Sequence, residues 1–105
     1  MTTSAPLADH ISFLRTKATL ADLCMDAWIL DDAVYLSDLT GTQSCPRGTG
    51  MVHLLALIEA AHRHGHPVRL CCTAWNTGLR DYYGRAGFYT LQEEDDEVLL
   101  TTRLA

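Results

Sequence analysis

The stretch from Ala33 to Ala74 constrains the fold most, because it predicts a strand, a glycine-rich loop, a helix and a second strand in succession. The helix is expected over Gly50–His64, where apolar residues recur on one stripe, and Gly65 and Pro67 prevent its continuation. The stripe consists of Met51, Leu54, Leu55, Ile58 and Ala61. Two strands joined in this way lie parallel, with a right-handed crossover. The chain is therefore predicted to be an α/β protein built on a mixed sheet.

The segments on either side complete this unit. An amphipathic helix is predicted over Leu7–Leu20 and a short helix over Asn76–Tyr83. The predicted strands are Asp26–Leu30, Ala33–Thr40, Val68–Ala74, Phe88–Leu91 and Val98–Leu104. The third strand is expected to be buried on both faces, and the last two to form an antiparallel hairpin with the acidic run 93–97 at its tip. The 105 residues are expected to form a single compact domain, in which 1–25 form the N-terminal helix and connection and 26–105 the sheet.

Charge and composition exclude several classes of function. A net charge of -5, with Lys17 as the one lysine, argues against a nucleic-acid backbone as partner. No apolar run approaches the roughly 20 residues that span a bilayer, and the first residues lack the positive charge of a secretory signal, so a cytoplasmic location is predicted. The four cysteines show no C-x-x-C spacing, and His62, His64 and His66 do not share one helix face. No metal site is predicted.

The first motif with chemical meaning is Arg47-Gly48-Thr49-Gly50, at the start of the predicted long helix. Glycines allow backbone N–H groups to approach an anion, and the helix N-terminus adds a partial positive charge. The Arg47 guanidinium can add charge-assisted hydrogen bonds to a phosphate. The Gly-Lys-Ser/Thr ending of a nucleotide P-loop is absent. A glycine-rich turn without a ligand remains the alternative interpretation.

The second motif runs from Asn76 to Phe88, where Asn76, Leu79, Tyr83, Gly87 and Phe88 are spaced as a cap, a core contact, an aromatic and a turn into a strand. Together with the preceding Arg-Gly-x-Gly, this string resembles the GNAT N-acetyltransferase superfamily and its Tyr-x-x-x-Gly-Phe pattern. The resemblance covers about Ala33 to Leu104, and the short first third is similar to that of the most compact members.

The resemblance implies an acyl-coenzyme A-binding fold in which the two parallel strands splay apart. The pantetheine arm would then lie against the strand Ala33–Thr40 as a pseudo-strand, with the pyrophosphate on the N–H groups of residues 47–51. A backbone N–H near Leu39 would polarise the thioester carbonyl. The residues implied to bind acetyl-CoA or coenzyme A are Leu39, Thr40, Arg47, Gly48, Thr49, Gly50, Met51, Asn76 and Tyr83.

The implied reaction is attack of a primary amine on the thioester, with coenzyme A thiolate leaving. Tyr83 occupies the position of the proton donor to the sulfur, although a core aromatic is its structural alternative; Tyr82 is the weaker candidate. Asp38 is the expected base for the ammonium, with Asp26 as second choice, and a solvated strand-end carboxylate is the alternative for each. The acceptor is expected to be a small-molecule amine or a protein or peptide amine.

The sequence also departs from the family. Cys45 stands where a Gln or Arg is usual, and Pro46 removes a backbone donor near the phosphate site. A catalytically inactive module that binds a protein partner is therefore a second hypothesis, and a subunit completed by another chain, such as a homodimer, is a third.

Trp28 and Trp75 are expected in the core, with Trp75 near the acceptor pocket.

Overall fold

A computed structural model describes residues 6–104 and shows three helices and a five-stranded mixed sheet. The helices are α1 (Leu7–Leu20), α2 (Thr49–Arg63) and α3 (Thr77–Arg85). The strands are β1 (Leu23–Leu30), β2 (Ala33–Gly41), β3 (Val68–Thr73), β4 (Phe88–Glu94) and β5 (Glu97–Thr102), in the spatial order β1-β2-β3-β5-β4. The predicted α/β class is confirmed.

The sheet is antiparallel except at its centre. β1 and β2 form a hairpin that turns at Asp31, whose φ is 54°, and β4 and β5 form a second one that turns at Asp95, whose φ is 43°. The acidic run therefore lies around the tip of the second hairpin, as the sequence predicts. β2 and β3 are parallel, and α2 connects them. The predicted strand–loop–helix–strand unit is thus present.

One face of the sheet carries the core. Alternate strand residues such as Val34, Val68 and Val98, each with no exposed surface, join the buried faces of α1 and α2 and the ring of Tyr83 in a single hydrophobic cluster. Their strand neighbours point to the opposite face, as the exposed Cys71 beside the buried Cys72 shows. The prediction that β3 is buried on both faces is therefore wrong, because no helix covers the second face in the described part of the chain.

Several residue-level expectations also fail for tertiary reasons. Trp28 and Trp75 are 48% and 74% exposed, so neither belongs to the core. Leu55 is exposed, and Leu57 takes its place on the buried stripe of α2. β1 begins at Leu23 instead of Asp26, so the strand already starts within the segment 1–25. Among residues 6–104, no helix is both long and apolar enough to cross a membrane.

Candidate functional site

The centre of the sheet opens between β2 and β3. Among the described residues these strands pair at two positions, Val34 with Val68 and Tyr35 with Arg69. Beyond these pairs, β2 keeps its pairing with β1 and β3 keeps its pairing with β5, but the facing edges of β2 and β3 are unpaired. A register shift in β2 at Ser37 accompanies the opening, and the Ser37 hydroxyl donates to the Asp26 carbonyl at 3.1 Å. The result is a gap whose walls carry free backbone groups.

The loop after β2 leads to an uncapped N-terminus of α2. Gly48 takes the N-cap position with φ 89°, a left-handed conformation that favours glycine, and no side chain caps the helix. The Thr49 N–H donates to the Pro46 carbonyl at 3.2 Å. Within residues 6–104, the N–H groups of Gly48, Gly50 and Met51 donate no hydrogen bond to the protein. These donors are therefore available to an anion.

An open cleft of about 660 Å³ lies over this helix end. It is lined by Arg47, Gly48, Met51, Leu55, Tyr82 and Arg85. The Tyr82 hydroxyl lies so close to Gly50 that a Cβ at that position would be 2.9 Å from it. A side chain at Gly50 would displace the Tyr82 hydroxyl, whereas at Gly48 the backbone conformation favours glycine. The cleft brings the end of α3 beside the start of α2.

Tyr83 points from α3 towards the gap. Its ring makes edge contacts with Tyr82 and Phe88, each at 5.4 Å between centroids, and the residue is 7% exposed. Burial, with smaller contributions from the nearby Tyr82, Cys72 and Asp38, raises the pKa of Tyr83 to about 12. Because Cys72 is on β3 and Asp38 on β2, Tyr83 lies near residues of both walls of the gap.

Asp38 is held as a carboxylate on the other side of the gap. Hydrogen bonds from the Thr40 hydroxyl at 2.7 Å and the Cys24 thiol at 3.3 Å, with the Leu39 N–H, keep the pKa of Asp38 below its ordinary value. The same hydrogen bond raises the pKa of Cys24. Leu39 and Thr40, predicted to bind the cofactor, therefore both contact Asp38.

Asp38 opens onto a second cleft, of about 740 Å³, between α1 and β1. Asp26 lines the same cleft but is paired with Arg15 at 3.3 Å. Both groups of the pair are about half exposed, so the pairing weakens Asp26 as an alternative base without removing it from solvent.

Solved structures of N-acetyltransferases share this arrangement of elements. The PaiA N-acetyltransferase of Thermoplasma acidophilum, solved with coenzyme A, superposes with a TM-score of 0.64 at 16% identity, over 75% of this chain and 51% of that one. The Escherichia coli ribosomal-protein-S18-alanine N-acetyltransferase gives 0.65 at 17%, over 77% and 60%. YncA of Salmonella typhimurium, solved with acetyl-CoA, gives 0.57 at 14%, over 98% and 76%. This chain has the GNAT acetyltransferase fold.

The matched GNAT structures are longer than this chain, which spans about half of the first and three-fifths of the second. No protein-family model matches the sequence, and no curated protein matches it. The likeness to GNAT enzymes therefore lies in the fold.

Two residues that the sequence analysis discussed with the GNAT motifs, Asn76 and Cys45, contact other residues of the protein. The Asn76 side chain caps α3 by accepting from the Leu79 N–H at 3.1 Å, as predicted from its position. The Cys45 side chain packs towards Gly41, where an added Cβ would be 3.0 Å from its own. It is partly buried against the core, in the loop that precedes α2. Arg47 is the basic side chain of that loop.

Sequence reasoning missed three residues of the cleft: Arg85 and Leu55 as site residues, and Tyr82 as a residue beside the start of α2. The predicted helix Asn76–Tyr83 contains Tyr82 but ends before Arg85, which the structure includes in α3. The string around Tyr83 also gives no sign that α3 lies beside Gly50. That neighbourhood arises because Tyr82 reaches from α3 to the start of α2, a tertiary contact that no local pattern encodes.

Proposed function

We propose that this protein transfers an acyl group, with acetyl the expected one, from acyl-coenzyme A to a primary amine. The observation that carries the proposal is the gap between β2 and β3. The free N–H groups at the start of α2 and the buried Tyr83 support it. The GNAT fold of the chain supports acyl transfer as the general activity.

The residues present fit coenzyme A. The unpaired edge of β2 suits an extended pantetheine arm, which contains amide groups. The N–H groups of Gly48, Gly50 and Met51, with the Arg47 guanidinium, suit the diphosphate. When bound, the acyl-coenzyme A supplies an electrophilic thioester carbonyl and a thiol leaving group.

Tyr83 would act on the sulfur side of the reaction. With a pKa of about 12, its Oη keeps its proton at neutral pH. A thiol has a pKa of about 8.5, so the phenol is the weaker acid of the two. Tyr83 would therefore stabilise the departing sulfur mainly by donating a hydrogen bond, and complete proton transfer is not required.

Asp38 would act on the amine side. Its lowered pKa keeps the carboxylate ionised, which favours binding of an ammonium group more than removal of its proton. An ammonium with a pKa of about 10.4 must lose a proton before it attacks. We expect Asp38 to bind and orient the ammonium group and to direct its proton through water to the solvent, in the cleft that also contains Asp22.

The decisive experiment combines ligand binding with turnover. We expect coenzyme A at a hundredfold excess over its dissociation constant to stabilise the fold by about 2.7 kcal/mol. We also expect acetyl transfer to at least one amine of a broad panel. Tyr83→Phe should lower kcat by about 10²- to 10⁴-fold and leave the affinity for coenzyme A unchanged. Tyr89→Phe, which changes an exposed tyrosine on β4, is the matched control.

A catalytically inactive module is the second candidate. Pro46 removes one possible donor from the phosphate loop, and Cys45 provides no charge there. Binding of coenzyme A without transfer to any amine would favour this candidate. Absence of any stabilisation at millimolar coenzyme A would defeat acyl transfer and leave only a module that binds a protein partner.

A further inference from the structure

Two arginines from different elements line the cleft over the start of α2. Arg47 precedes α2, and Arg85 is the last residue of α3. Neither forms an ion pair with a carboxylate in the part of the chain that the structure describes, whereas Arg15, Arg63 and Arg80 each do. In a protein with a net charge of -5, this cleft therefore collects positive charge without an internal counter-ion.

Tyr82 holds the second arginine at the cleft. The Arg85 guanidinium carbon is 5.7 Å from the centroid of the Tyr82 ring, within the range of a cation–π contact. The other end of that ring, its hydroxyl, lies against Gly50. Tyr82 therefore contacts both the N-terminus of α2, where the diphosphate is proposed to bind, and the Arg85 guanidinium.

The size and lining of the cleft exceed what a diphosphate needs. Free N–H groups and Arg47 already suffice for the diphosphate, which leaves Arg85 without an assigned anion. A volume of about 660 Å³ is typical of sites for whole nucleotides. Met51 and Leu55 add apolar surface that suits the face of a purine base. A nucleotide with a further phosphate beyond its diphosphate matches this set of groups.

We propose that Arg85, positioned by Tyr82, binds the 3′-phosphate of coenzyme A, so that the cleft selects the 3′-phosphorylated nucleotide over its dephospho form. The proposal rests on the proposed function and assigns Arg85 a role in cofactor selection and none in the acyl transfer itself.

Calorimetric titration of the full chain with coenzyme A and with dephospho-coenzyme A tests this proposal. We expect the wild-type protein to bind coenzyme A about tenfold or more tightly, as loss of one charge-assisted hydrogen bond implies. Arg85→Gln should bind both ligands with equal affinity. Arg63→Gln, which removes an arginine from the far end of α2, should keep the full preference. Arg85 is exposed, so its replacement leaves the core intact.

Three outcomes decide between the proposals. Equal affinities in the wild-type protein, or a preference that survives in Arg85→Gln, would overturn the role of Arg85 while leaving acyl transfer possible. If neither form of coenzyme A binds, the proposed function fails first, and adenosine 3′,5′-bisphosphate is then compared with 5′-AMP. A preference for the bisphosphate that Arg85→Gln abolishes would still support the 3′-phosphate site, and its absence would overturn it.

Discussion

The adjacent residues Tyr82 and Tyr83 lie on the same turn of α3 but contact different parts of the molecule. Tyr82 and Tyr83 are about 100° apart around α3, so they face different surroundings. Tyr83 enters the core and reaches the gap between β2 and β3, and burial raises its pKa to about 12. Tyr82 is half-buried over the N-terminus of α2 and contacts Arg85. The proposed function places the acyl end of coenzyme A at Tyr83 and its nucleotide end at Tyr82.

The raised pKa of Tyr83 predicts a loss of stability at alkaline pH. A tyrosine titrates near 10 when unfolded, so the folded protein holds this proton more tightly than the unfolded chain. The corresponding stabilisation is complete below about pH 10 and disappears as the pH rises through about 12. Between about pH 9 and 11.5, we expect the free energy of unfolding of the wild-type protein to fall by about 2 kcal/mol more than that of Tyr83→Phe.

Urea unfolding at the two pH values measures this difference. Tyr89→Phe serves as the control, because it removes an exposed tyrosine and should change with pH as the wild-type protein does. A parallel fall for wild-type and Tyr83→Phe would show that the phenol is not buried in the way that the fold implies.

At the scale of elements, the position of α3 depends on polar contacts at its ends and flank. Tyr83 is its one buried residue, so burial alone anchors it weakly. Asn76 caps its start, and Arg80 donates to the Ala74 carbonyl at 2.9 Å and to the Thr90 hydroxyl at 3.3 Å. These contacts connect α3 with the end of β3 and with β4. The placement of both tyrosines therefore relies on polar contacts at the ends and flank of the helix.

The cap of α3 gives a direct test of this dependence. Asn76→Ala should lower the free energy of unfolding by about 1 kcal/mol, because the Leu79 N–H loses its acceptor. Asn76→Asp keeps an acceptor at the N-terminus and should retain most of the stability. Thermal or urea unfolding of the three proteins measures the effect. If Asn76 instead served the cofactor, Asn76→Ala would weaken coenzyme A binding without loss of stability.

The sequence predicts the elements well where the pattern is local. The periodicity of Leu7–Leu20 gives the bounds of α1, and the glycine motif places the start of α2 within one residue. Burial on the sheet is predicted less well. Trp28 and Cys71 are exposed because they lie on the face that carries no helix, and neither residue's neighbours in the sequence indicate which face that is.

The candidate site divides in the same way. Arg47 to Met51 form one continuous string, so the sequence alone indicates an anion site. Arg85 becomes part of it only because α3 packs beside α2, and the Asp38 carboxylate is held by Cys24 from the neighbouring strand. Contacts of this kind depend on tertiary structure and register, which an unaligned sequence does not reveal.

At the scale of the whole molecule, the sheet consists of two parts joined by few bonds. β1 and β2 form one part, and β3, β5 and β4 form the other. Two parallel residue pairs and the packing of α2 connect them. The molecule is a slab with extents of 48 × 33 × 20 Å, and the gap is at its centre. A ligand in the gap would contact both parts at once.

Amide hydrogen exchange can show whether coenzyme A bridges these parts. We expect saturating coenzyme A to slow exchange about tenfold or more at gap-facing amides of 36–41 in β2 and 70–73 in β3, as well as at 48–51, because bound ligand opposes local opening. Adenosine 3′,5′-bisphosphate lacks the pantetheine arm, so it should protect 48–51 and leave both walls unchanged. The tip of the β4–β5 hairpin, 94–97, lies outside the gap and provides the internal reference. Protection by coenzyme A that is confined to 48–51 would mean that the arm binds elsewhere, and the open centre of the sheet would then have no part in holding the thioester.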